Sequence, residues 1–218
     1  MISLIAIVIL SYIVGSFPTG IVFGKLFKGI NVRQYGSKNM GATNVFRVLG
    51  AKLGISVLLL DMLKGLIATL IISSINLGDL SIAVHWLKII AGFSAIFGHI
   101  FPVWIKFKGG KGIAAAAGVF FGLIPIEAGL AIMFFIIVVF FTRYVSLGSI
   151  LASIFIPCAL VVEKIYLGAP IHDSYMILAI ILAVTVLITH RQNIKRLLRG
   201  EENKFGKKLK AFNVVNNE

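Results

Sequence analysis

The run IAAAAGVFFGLIPIEAGLAIMFFIIVVFF, residues 113–141, is 29 residues long and is interrupted by Gly118, Gly122, Pro125, Glu127 and Gly129. The fold turns on whether it crosses a membrane once or twice. A single helical span needs about 20 residues at a rise of about 1.5 Å each, so length alone permits one tilted crossing. Charge decides against it. One crossing would put Arg143 and the eight Lys/Arg residues from Arg191 onward on the side opposite the six cations of 25–52 and the three of 106–111. Lys and Arg are retained on the cytoplasmic side of membrane proteins, whereas acids contribute little to orientation. Two crossings, with the turn near Gly122 to Glu127, put 18 of the 21 cations on one side. Each limb is then shorter than a typical span, as expected for short helices that tilt or lie in thinned bilayer.

Working outward, the other apolar runs are 1–24, 53–75, 85–105, about 145–163 and about 174–190. The reading is an all-α polytopic membrane protein of seven transmembrane helices, with the N-terminus outside and the C-terminus cytoplasmic. The outer connections then carry Asp79, Glu127, Glu163 and Asp173. Gly15, Pro18 and Gly20 predict a kink in the first span. Composition agrees: 59% hydrophobic residues, 13% charged and a mean hydropathy of +1.01 describe one membrane domain with little left for a soluble one. That domain is placed at 1–205, followed by a basic, flexible cytoplasmic tail at 206–218. The net charge of +13 would suit nucleic acid, but cations gathered at one membrane boundary point to the lipid bilayer and away from nucleic acid. The single Cys158 excludes an intrachain disulfide, and the first Lys, Lys25, follows the first apolar run, which is not the pattern of a signal peptide.

With this topology the polar clusters share the inner face. The segment Ser37-Lys38-Asn39-Met40-Gly41-Ala42-Thr43-Asn44-Val45-Phe46-Arg47 brings two hydroxyls, two amides and a guanidinium together, groups that suit an oxyanion. By itself it also reads as a polar loop with a helix cap at Ser37 or Thr43. Gly109-Gly110-Lys111-Gly112 precedes an apolar helix, whose free N–H groups and dipole attract anions; a plain basic connector is the simpler alternative. It lacks the spacing and the Ser/Thr of a Walker A loop. His190 and Asn193 share a helical face, and Ser146 stands at the start of another span. Asp61 and Lys64, three apart on one helical face, read as a packing and orientation pair, with a buried functional pair as the alternative, and His99 as a packed, hydrogen-bonded residue. His85 and His172 fall on the outer side. No His-x4-Asp arrangement is present, and few carboxylates other than Glu201 and Glu202 reach the inner face.

The motifs 36–47, Gly98-His99-Ile100-Phe101-Pro102-Val103, Phe107-Lys108-Gly109-Gly110-Lys111-Gly112, Arg143-Tyr144-Val145-Ser146-Leu147 and His190-Arg191-Gln192-Asn193-Ile194 together resemble the bacterial acyl-phosphate-dependent glycerol-3-phosphate acyltransferase family, PlsY. The resemblance runs from about residue 10 to Phe205. It implies a seven-helix bacterial inner-membrane enzyme, active on the cytoplasmic side, that makes lysophosphatidic acid and inorganic phosphate from acyl phosphate and glycerol-3-phosphate. It further implies catalytic roles for Ser37, Lys111 and His190. Gly109, Gly110 and Gly112 would cradle the acyl phosphate through their N–H groups, with Ser37, Asn39 and Thr43. Arg47, Lys111, Ser146, His190 and Asn193 would hold glycerol-3-phosphate, and Asn44 belongs to the same binding set. No metal and no cofactor are expected, and a monomer is the expected assembly. Lys38 departs from the family pattern, where a small residue such as Gly is expected. The competing reading is a transporter for a phosphorylated solute, since broken helices and intramembrane charge pairs occur there too.

Overall fold

A computed structural model describes residues 1–78 and 81–206; the outer-loop Asp79 and the tail from 207 onward lie outside the described residues. Every regular element among the described residues is helical. The first apolar run forms α1 (Ile2–Ser16) and α2 (Thr19–Lys28), parted at Phe17-Pro18. Pro18 has no N–H to continue the ladder and pushes Phe17 out of the helical region, so the kink falls where the sequence places it. Helix α2 ends with Lys25 and Lys28 in its last turn and Gly29 at φ +64°, a left-handed cap that satisfies terminal carbonyls.

The connection that follows contains a short helix, α3 (Ala42–Leu49), which starts from Gly41 and not from Ser37 or Thr43, so that Thr43 lies inside it rather than capping it. Lys38 adopts φ +58°. That left-handed conformation costs an ordinary residue about 1–2 kcal/mol and Gly almost nothing, which is the physical sense of the small residue expected there. Next come α4 (Ala51–Leu70) and α5 (Val84–Ile100).

The long apolar run is two helices, α6 (Ile113–Leu123) and α7 (Pro125–Thr142), separated at Ile124. Pro125 sits at the first helical position and Glu127 in the first turn, both preferred at an N-terminus. The break therefore falls inside the window 122–127. Helices α8 (Val145–Tyr166), α9 (Asp173–Thr189) and α10 (Arg191–Leu198) follow, α9 and α10 meeting at a 61° bend. Among the described residues five helices, counting α1–α2 as one, are long and apolar enough to cross a membrane, and the bent α9–α10 pair makes a sixth. Helix α6, at 11 residues, is about 16 Å long and shorter than the usual hydrocarbon thickness.

Without a hydrophobic drive between helices in lipid, close backbone approach over small residues holds such bundles together. Helices α4 and α6 show it: a Cβ on Gly118 would stand 1.8 Å from the Met62 carbonyl oxygen, and one on Gly65 2.1 Å from that of Ala115. The contact fixes α6, and the glycine loop before it, against the helix that carries Asp61.

Candidate active site

Four segments meet at one end of the bundle around a polar cavity of about 150 Å³. Its walls include Ser37, Asn39, Thr43, Asn44, Arg47, Lys111, Gly112, Ser146, His190 and Asn193, ten of the twelve residues singled out from sequence. They come from the loop before α3, from α3 itself, from the N-terminus of α6, from the first turn of α8 and from the α9–α10 bend. At that bend the chain turns so that His190 and Asn193, both almost fully buried, face the same space.

The individual contacts revise several assignments. Asn44 is 1% exposed. Its Nδ2 donates to the carbonyls of Val32 (2.9 Å), Tyr35 (3.2 Å) and Asn39 (2.7 Å), and its Oδ1 accepts from the Ser37 N–H at 2.8 Å. An amide so engaged has no donor left for a ligand, so Asn44 shapes the loop that presents Ser37 and Asn39 rather than binding substrate. Asn39 Oδ1 closes a local turn by accepting from the Gly41 N–H at 2.8 Å. Gly109 and Gly110 do not line the cavity. Their N–H groups, expected to cradle a phosphate, donate to the carbonyls of Ile100 and His99, each at 3.1 Å. The loop folds back on the end of α5 and uses its donors internally, which leaves Lys111, Gly112 and the start of α6 at the cavity.

Glu202, in the sequence one of few carboxylates assigned to the inner face, also lines the cavity. Glu202 Oε1 accepts from Ser146 Oγ (2.9 Å) and Asn193 Nδ2 (2.7 Å), and its Oε2 from Arg196 Nε (2.7 Å). Asn193 Oδ1 in turn accepts from Lys111 Nζ. Burial alone would raise the Glu202 pKa, but the Arg196, Asn193 and Ser146 hydrogen bonds outweigh it and hold the carboxyl below its usual range. The strand of chain carrying it is tied down by Phe205, whose N–H donates to the Arg143 carbonyl at 2.6 Å and whose ring lies 4.6 Å from that of Phe46. A carboxylate that gathers a hydroxyl, an amide and a guanidinium marks a site built for an oxyanion. Asn193 and Arg196 at helical spacing, followed by the Gly200 turn, were the only sequence signal for it.

Burial also tunes one of the ionisable groups proposed as catalytic. Lys111 is brought down to about 8, chiefly by desolvation, with Arg196 and Arg47 adding repulsion that Glu202 partly offsets. His190 stands at the bend that joins α9 to α10, with its ring buried. Its Nδ1 lies 2.9 Å from the Val186 carbonyl and must be the protonated nitrogen, which leaves Nε2 as an acceptor. With Nε2 as its free atom, His190 can meet a donor such as a substrate hydroxyl but not a phosphate oxygen. Asp61 and His99, read from sequence as packing residues, also line the cavity, and the Asp61–Lys64 pair is present at 2.6 Å.

Below the polar cavity lies an apolar one of about 320 Å³, and the two share Leu58, Ile113, Ala114, Phe135 and Ser149. Its walls are mainly alanine and aliphatic side chains of α6, α7, α8 and α9. A polar, cationic chamber opening into a hydrocarbon-lined one suits a molecule with an anionic head and an apolar tail.

Comparison with known proteins gives one answer. Residues 5–200 match the family model described as glycerol-3-phosphate acyltransferase. A Fusobacterium nucleatum protein named glycerol-3-phosphate acyltransferase is 47% identical over 199 residues, covering 91% of this chain and 96% of the relative. One of the same name from Chlorobium phaeobacteroides is 43% identical, covering 95% and 99%. Among solved structures, the glycerol 3-phosphate form of PlsY (YgiH), an integral membrane glycerol 3-phosphate acyltransferase, superposes with a TM-score of 0.81 at 40% identity, covering 94% of this chain and 96% of that one. Its lysophosphatidic acid form gives 0.80 at 38% identity.

Proposed function

The chain belongs to the glycerol-3-phosphate acyltransferase family, and on that premise we propose that it transfers an acyl group from acyl phosphate to the sn-1 hydroxyl of glycerol-3-phosphate, giving lysophosphatidic acid and inorganic phosphate. The observation that carries this reading is the cationic chamber of Arg47, Lys111, Ser146, His190 and Asn193 opening into an alanine-lined one.

Glycerol-3-phosphate lies with its phosphate on Arg47, Lys111, Ser146 and Asn193, where it takes the Ser146 and Asn193 donors over from the Glu202 carboxylate. The acyl tail lies in the apolar cavity, with the phosphate end of the donor near Ser37, Asn39, Thr43 and the N-terminus of α6. The acceptor oxygen forms a bond to the acyl carbonyl carbon, the bond from that carbon to the bridging phosphate oxygen breaks, and inorganic phosphate leaves. A mixed anhydride has a good leaving group, so positioning and charge stabilisation supply the rate. The hydroxyl proton goes to a phosphate, whose second pKa of about 6 makes it a competent base at neutral pH. His190 Nε2 accepts a hydrogen bond from the hydroxyl and aims it. All of these groups come from one chain, so a monomer holds a complete site.

Purified protein given acyl phosphate and labelled glycerol-3-phosphate in excess EDTA should release phosphate and lysophosphatidic acid in equal amounts. Absence of covalent product, or turnover that needs an added divalent ion, would overturn the reading.

The pH dependence follows from the shifted lysine. Lys111 is charged below about 8 and loses its proton above it, so kcat/KM should fall as pH rises through about 8. The acid limb, near 6, belongs to protonation of the substrate phosphate. A rate constant flat to pH 10 would exclude Lys111 as the anion-holding charge.

The cation distribution supports an N-out, C-in topology in the bacterial inner membrane with the site on the cytoplasmic side. In a Cys158→Ala background, Ile126→Cys at the start of α7 and Leu198→Cys at the end of α10, both at exposed positions, should label from opposite faces. Labelling from one face would exclude the double crossing of 113–141.

A further inference from the structure

At the end of α5, His99 is 3% exposed and packed directly under the glycine loop. A Cβ on Gly110 would stand 2.1 Å from its Nε2, so the loop backbone lies against the imidazole where no side chain fits. The Gly110 N–H also bonds to the His99 carbonyl. The next residue is Lys111, whose ammonium reaches Asn193 across the cavity. The other ring nitrogen, Nδ1, is buried, has no hydrogen-bond partner among the described residues, and faces Asp61 Oδ1 at 3.8 Å, just beyond bonding distance. That oxygen is itself fixed, accepting from Thr19 Oγ1 at 2.9 Å and Lys64 Nζ at 2.6 Å, and Lys64 also donates to the Phe17 carbonyl at the Pro18 break.

A buried imidazole nitrogen left unpaired beside a carboxylate is costly for packing alone, where an apolar ring would serve better. Here both partners border the polar cavity. We propose that His99 is a positioning residue for acyl transfer: Asp61 orients the imidazole, the ring sets the backbone of Gly110, and that turn fixes the angle at which Lys111 enters the site. This assigns a role to a buried imidazole whose unpaired nitrogen packing does not require, and it rests on the acyltransferase reading for the meaning of the rate.

The test is a cycle of variants in detergent. His99→Phe keeps the ring volume and removes both nitrogens; it should keep the thermal midpoint while lowering kcat/KM at least tenfold, and Asp61→Asn should lower it in parallel. In a Lys111→Ala background, His99→Phe should change the residual rate by less than twofold, because the residue acts through that lysine. Gly110→Ala should be impaired, and His99→Ala in the same chain should recover part of the rate by vacating the space a Cβ needs. Competitive amine labelling of Lys111, read by mass spectrometry, requires no substrate and should change at least threefold in His99→Phe while other lysines stay constant. If His99→Phe is fully active, or its loss only tracks unfolded protein in both His99→Phe and His99→Gln, the proposal is wrong. An equal penalty with and without Lys111 also refutes it. If the unaltered chain forms no lysophosphatidic acid, the activity reading fails, and unchanged Lys111 labelling then decides against the positioning role independently.

Discussion

Lys111→Ala and Arg47→Ala should each lower acyl transfer by about 10² or more while leaving a folded, membrane-inserted protein. Tenfold in rate corresponds to about 1.4 kcal/mol, and a charge-assisted hydrogen bond in a partly desolvated site contributes about 1.5–3 kcal/mol. Two such bonds to an anion reach a hundredfold without special assumptions. Lys111 is half of a buried linkage to Asn193, and Arg47 lines the same cavity from α3, its pKa lowered by desolvation and partly restored by the Glu202 carboxylate. The two cations therefore act on one anion. Arg47→Lys should recover little, because a point charge does not replace the planar fork. The measurement is kcat and KM for glycerol-3-phosphate alongside a thermal midpoint in detergent. His172→Ala, at the stacked His85–His172 pair whose ring centroids are 4.4 Å apart, should be nearly silent. Turnover close to the parent in Lys111→Ala would remove the central cation from the mechanism.

Asn44→Ala should behave differently, as a loss of structure. Four hydrogen bonds disappear, and the Val32, Tyr35 and Asn39 carbonyls lose a shared donor in a loop closed to water at Val32. At about 0.5–1.5 kcal/mol for each bond, with coupling among neighbours, the loss is about 2–4 kcal/mol. In a chain of this size that lowers the thermal midpoint by about 5–15 °C. Asn44→Asp should be worse still, since it sets a carboxylate oxygen against carbonyl oxygens. Thr43→Ala, one residue away and facing the cavity, should leave the midpoint nearly unchanged. A stable Asn44→Ala protein with weakened substrate binding would restore Asn44 to the binding set.

Much of this molecule was written locally. The apolar runs specify helices because lipid leaves backbone groups no other partner. Pro18 and Pro125 put the breaks at Phe17-Pro18 and Ile124 because a proline nitrogen cannot continue a ladder wherever it lies in space. The polar segments 37–47, 109–112, 146 and 190–193 group together from sequence alone, because the positive-inside rule assigns them all to one side. Lys38 was recognisable as out of pattern, and its φ of +58° supplies the reason.

What tertiary structure alone decided is which of those groups remain free. Gly109 and Gly110 look like phosphate donors until the loop folds onto α5 and their N–H groups meet the carbonyls of Ile100 and His99. Asn44 looks like a ligand residue until three carbonyls from 32–39 converge on its amide. Glu202 enters the site, and Asp61 comes to face His99 from 38 residues away, only through contacts between segments distant in the chain. A residue type records what a side chain can donate or accept; whether that capacity is already spent depends on partners brought near by packing, and no local pattern contains their positions.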